Sequence, residues 1–188
     1  FDEFRRNHRN YVPSLPFHGM DRGFAFSDYL FGSVAGDDTF QDVFVGRFSV
    51  STEDEANVVV DKVIGYETAA PARWHDRILY LANFEDPPIF SRTNDTLAVK
   101  YTESAGLETF KIHQIEGTPP EPNDDTERAI QQINDGRLIV NFSGHGSVSA
   151  MSFFLRGAFQ QGSYFYMREI RNADRLPLVI AMSCLNGQ

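Results

Sequence analysis

The chain has 188 residues, 41% of them hydrophobic and 13% aromatic, enough to build one or two domains with real cores. Its 17 lysines and arginines are outnumbered by 26 aspartates and glutamates, and the resulting charge of −9 excludes a nucleic-acid surface, which needs clustered cations. No apolar stretch approaches the ~20 residues that cross a bilayer, and a single cysteine excludes an internal disulfide.

Residues 1–40 mix Arg, Asn, Gly and Phe without a clear period and read as irregular. Asp42 to Phe48 (DVFVGRF) alternates and is β-branched, which predicts a short strand. Thr52 with Glu55 three residues later fits a capping box. Ala56, Val59, Val60, Val63 and Ile64 then recur at helical spacing, predicting a helix over about 53–67. Ala69 to His75, with Pro71, reads as a linker, so the first unit is expected over 1–75 and the second over 76–188.

Beyond the linker, strand and helix alternate. Strands are predicted over Arg77–Ala82, Thr109–Ile115, Arg137–Phe142 and Leu178–Ser183. Helices are predicted over Thr93–Ser104 (stopped by Gly106), Asp125–Asn134 and Tyr164–Ala173. Two of the strands are continuous apolar runs. The expected fold is therefore α/β, a parallel sheet flanked by helices on both faces. In such sheets the strands share a carboxyl edge, where ligands and chemistry gather.

Two polar tips lie at that edge. NFSGHGS (141–147) sets His145 between glycines just past one strand, and SCLNG (183–187) puts the sole cysteine, Cys184, at the end of the next. If those strands are neighbours, side chains 39 residues apart in sequence converge. An imidazole beside a thiol raises its thiolate fraction or acts as its base, and then protonates a leaving amine. The backbone N–H groups of Gly146 and Cys184 are candidates for an oxyanion hole, in which one donor is worth about 3 kcal/mol of barrier. Taken alone, a strand-end Cys is most often a buried small hydrophobe, and a Gly-His-Gly turn a tight loop. Their shared edge is what favours chemistry.

SGHGS (143–147) and SCLNG (183–187) resemble the His and Cys motifs of the gingipain-like cysteine peptidases, relatives of the caspases. SDYLFGSVAGDD (27–38), DVFVGRFSV (42–50) and DKVIGYE (61–67) are similar to that family in the same order. The resemblance implies a caspase-like parallel sheet preceded by part of a smaller related α/β subdomain. It implies Cys184 as nucleophile, His145 as general base and acid, and an acyl-enzyme route to peptide hydrolysis. It further implies Glu85 in LANFE as the acid that orients the histidine, and Met182 and Ser147 as walls of the substrate pocket. Asp86 and Asp95 are the acidic candidates in the following loop, EDPPIFSRTND. Met151 stands where the best-known members carry Trp. The family continues past the cysteine motif and has a strand before the position of Phe1, so the chain is expected to be a segment of a longer protein that packs against further segments.

No cofactor is required for this chemistry. The histidines show no HExxH-type metal spacing, whereas Asp28, Asp37 and Asp38 form a candidate set for a structural calcium ion, which some family members bind. A protein or peptide substrate and a secreted or cell-surface location follow from the resemblance. Two competing functions share the motifs: a sortase-like transpeptidase of type IX secretion, using the same dyad with an amine acceptor, and a catalytically inert binding or structural relative.

Overall fold

The computed structural model describes residues 12–19, 23–38, 40–85, 87–114, 124–146 and 169–183. The chain divides into two compact units, Phe1–Glu67 and Thr68–Gln188. The division falls earlier than the 75/76 boundary expected from sequence. The expected linker is structured: Arg73–Asp76 forms a 3-10 turn that buries Trp74. Trp74 Cβ and Arg175 Cδ would lie 2.9 and 3.0 Å from a Cβ on Gly136, and Gly136 itself adopts φ +90°, open to glycine and few others.

The first unit holds an antiparallel hairpin, β1 (Leu15–Gly19) and β2 (Gly23–Ser27), in the part of the sequence that looked irregular. Its helix α1 (Glu53–Thr68) begins as expected. The Glu55 amide donates to Thr52 Oγ1 at 3.2 Å, and Glu55 Oε2 accepts from the Thr52 and Ser51 amides at 3.1 and 2.6 Å, a complete capping box. The strand expected over 42–48 does not form. Among the described residues this segment has no ladder partner, and alternation gives a strand only where a neighbour supplies hydrogen bonds. Arg47 fixes the segment instead, donating to both carboxylate oxygens of Asp28 at 2.6 and 2.7 Å and to the Val12 carbonyl at 2.6 Å. The guanidinium lowers the Asp28 pKa.

The second unit is a four-stranded sheet in the order β4-β3-β5-β6. The strands are β3 (Arg77–Ala82), β4 (Glu108–His113), β5 (Ile139–Ser143) and β6 (Leu178–Met182), and every pairing is parallel. Alternation divides β3 between two cores. Leu79 and Leu81 join Ile112, Val140 and Phe142 beneath Ala129 and Ile133 of α3 (Asp124–Asn134). Ile78 and Tyr80 face Ala98, just past α2 (Ile89–Leu97). Helices thus cover both faces, as a parallel sheet requires. α2 starts four residues before its predicted start and continues as a π-turn (Ala98–Thr102) and a 3-10 turn to Gly106, whose φ of +76° ends it as expected. The helix expected over 164–173 is not helical at 170–173, where Ala173 turns the chain at φ 52°; residues 164–168 lie outside the described set.

His113, at the end of β4, alternates within its strand as expected. Its Nε2 is buried with no hydrogen-bond partner among the described residues. Burial lowers its pKa from the ordinary 6.5, against a smaller upward pull from Asp95 and a downward one from Lys111. The folded state therefore prefers the neutral ring while the unfolded chain takes up a proton near pH 6.5, so this residue costs stability as pH falls through that value and costs nothing above it. Urea midpoints measured between pH 7.5 and 5.5 are expected to fall less steeply in His113→Gln than in the parent; parallel curves would remove His113 as the source.

Candidate active site

Strand order and chain direction define where a site can form. β3 leads through α2 to β4 on one side, whereas β5 leads to β6 on the other. The outgoing chains diverge between β3 and β5 and leave a crevice at their carboxyl ends, the topological switch point. The two tips flanking it are Asn83-Phe84-Glu85 and Gly144-His145-Gly146.

Across that crevice His145 Nε2 lies 2.8 Å from Glu85 Oε2. An ionised carboxylate only accepts, so Nε2 carries the proton and the neutral ring keeps its lone pair on Nδ1. The Phe90 ring, in the first turn of α2, meets the imidazole edge-on, with centroids 5.6 Å apart and an interplanar angle of 88°. The His145 side chain remains 58% exposed and that of Glu85 38%, so the pair is open to substrate and screened by water.

The floor beneath them is polar and buried. Asn94 Oδ1 accepts from Asn141 Nδ2 and from Ser143 Oγ, each at 2.9 Å, while Asn94 Nδ2 donates to the Leu81 carbonyl at 2.9 Å. α2 is thereby fastened to both β3 and β5. Sequence reasoning missed Asn83, Phe90, Asn94 and Ser143. The signal was present: Asn141 and Ser143 alternate in an otherwise apolar strand, and a polar pair on a covered face requires a buried partner. Asn141-Phe142-Ser143 has the N-x-S pattern of a glycosylation acceptor, but Asn141 is buried in the strand and is not accessible as one.

β5 and β6 are adjacent and parallel, with Ser143 opposite Met182. The Gly144 amide donates to the Met182 carbonyl at 3.2 Å. His145 follows Ser143 by two residues, and Cys184 follows Met182 by the same number. Met182 is exposed at the strand end, and Gly146 is half-buried beside His145. Cys184, Ser147, Asp86 and Met151 lie outside the described residues. Asp95 is on α2 and pairs with Lys111 of β4 at 3.0 Å.

The calcium set fits poorly. Both Asp28 oxygens face a guanidinium, and Asp38 Oδ1 accepts from the Phe40 amide at 2.8 Å. Among the described residues no three His, Cys, Asp or Glu side chains gather as a metal site. No described helix is long and apolar enough to cross a membrane.

The model of peptidase family C25 matches residues 2–188. Gingipain R2 of Porphyromonas gingivalis is 25% identical over 169 residues, covering 86% of this chain and 21% of its own length. Gingipain R1 of the same species is 25% identical over the same share of the chain and 16% of its own length. Among solved structures, the Arg-specific cysteine proteinase gingipain R superposes with a TM-score of 0.67 at 24% identity over 86% of this chain and 36% of the other. A complex of the Porphyromonas gingivalis RgpB pro- and mature domains gives 0.68 at 22% identity, over 87% and 37%. These likenesses show the fold, and the chain spans between 9% and 21% of the length of the curated relatives it matches.

Proposed function

Because the chain belongs to peptidase family C25, we propose that it carries the reacting groups of a cysteine endopeptidase. Cys184 is the nucleophile, His145 its base and later the acid for the leaving amine, and Glu85 the acid that orients the ring. The observation that supports this reading most is the 2.8 Å Glu85–His145 pair at the switch point, one strand away from the strand that leads into Cys184. With Nε2 held by Glu85, Nδ1 is the nitrogen that exchanges protons. The thiolate attacks the peptide carbonyl, and the N–H groups of Gly146 and Cys184 hold the oxyanion. The intermediate collapses with the proton on Nδ1 passing to the departing amine, which leaves a thioester on Cys184. His145 then takes a proton from water, which attacks the thioester and releases the acid. Met182, Ser147 and Asp86 are assigned to the substrate side of the site, and a protein or peptide is its substrate. Action outside the cell or at its surface belongs to the same proposal.

Alkylation tests it. Iodoacetamide is expected to label Cys184 readily below pH 7, and His145→Ala is expected to slow that labelling about tenfold or more, because an isolated thiol with a pKa near 8.5 is only a few per cent ionised there. Equal, slow labelling of both proteins would sink the dyad and favour an inert relative.

A further inference from the structure

Glu85 holds the ring of His145, but the ring can be held only if the backbone beneath it is fixed. Asn83 does this from the same strand end. Its Oδ1 accepts the His145 main-chain N–H at 2.8 Å, and its own amide donates to the Ser143 carbonyl at 3.1 Å. Asn83 is 5% exposed and Gly144 is buried against it. A Cβ on Gly144 would come within 2.2 Å of Asn83 Oδ1, so the contact is a fitted one. Asn83 and Glu85, two residues apart just past β3, both reach the tip that carries His145. One side chain holds the main chain of His145 and the other its imidazole. The neighbouring chain exits are tied as well: the Phe84 amide donates to Gln114 Oε1 at 3.1 Å, the Gln114 amide to the Ala82 carbonyl at 3.0 Å, and the Gly144 amide to the Met182 carbonyl at 3.2 Å.

From this geometry we infer that Asn83 is a positioning residue for the catalytic histidine, setting the imidazole against Glu85 through a side-chain hydrogen bond to the His145 backbone. The inference rests on the proposed dyad for its chemical meaning and on the hydrogen bond for its structure. Asparagine is well suited to this position because it offers a strong acceptor without adding a second negative charge, which would favour the imidazolium and leave less of the neutral ring free to take a proton.

Two variants of the intact protein test it. Asn83→Leu removes the acceptor. Exchange of the His145 amide with solvent is expected to accelerate about tenfold or more, and iodoacetamide labelling of Cys184 at pH 6.5 to slow by about tenfold, a displaced base being a poor one. Asn83→Asp keeps the acceptor and adds a charge. Amide protection is expected to persist, while the titration of the His145 Cε1–H resonance moves alkaline by about one unit. Parental amide exchange in Asn83→Leu would overturn the inference. So would an unmoved titration in Asn83→Asp, which alone decides the matter if the leucine variant does not fold. If His145→Ala labels like the parent, the proposed dyad falls instead, and the amide-exchange and titration results still judge the hold of Asn83 on His145.

Discussion

Replacing His145 by alanine is expected to lower turnover of the best-cleaved fluorescence-quenched peptide by about 10²–10⁴-fold, the range that general acid–base catalysis supplies. Two losses combine in that figure. The thiol loses the base that ionises it, and the departing amine loses its proton donor. KM is expected to change little, because an imidazole that works mainly in the transition state adds little to ground-state binding. Glu85→Gln is expected to be far milder. Its pair with His145 is solvent-exposed, and exposed pairs contribute about 1 kcal/mol or less, roughly a fivefold change in rate. A His145→Ala protein within threefold of parental turnover would remove the residue from the chemistry, whatever its neighbours do.

Gly144→Ala is expected to damage both stability and rate. The obstacle is space, since the new methyl would meet Asn83 Oδ1 at 2.2 Å, Asn83 Cγ at 2.7 Å and Phe142 Cζ at 2.9 Å. Phe142 is fully buried in the core of the sheet, and Asn83 is held by its bonds to Ser143 and His145, so neither side yields easily. Overpacking of this kind costs about 1–3 kcal/mol, read as a lower urea midpoint. Any relief must come from moving the tip that carries His145, and a displacement of about 1 Å can cost on the order of 10² in rate. Combining the substitution with Asn83→Ala removes two of the three clashing atoms, so the double variant should lose less stability than the two single changes added together. Parental stability and turnover in Gly144→Ala would show that the tip has slack which the packing denies.

The two units differ in how much their sequences revealed. In the second, the apolar runs RILYLA and LIVNF and the switch to helical spacing over 125–134 were enough for a parallel sheet covered on both faces. Burial drives those patterns, so they survive in the sequence. In the first unit, DVFVGRF has a strand's alternation without a strand's ladder, and Phe44 stands fully exposed within it. The β1–β2 hairpin went unseen because LPFHG and GFAFS carry Gly and Pro where a strand usually has branched side chains.

By itself the sequence determined the fold class and the two tips that carry a histidine and a cysteine, because strand-ending polar residues after apolar runs mark the carboxyl edge of a parallel sheet. Strand order was left to the tertiary structure: β3 beside β5 at the switch point, which brings Glu85 within 2.8 Å of a histidine 60 residues away. So was the buried polar frame of Asn83, Asn94, Asn141 and Ser143. Hydrogen bonds of that range depend on which strands become neighbours, and local periodicity carries no record of that choice.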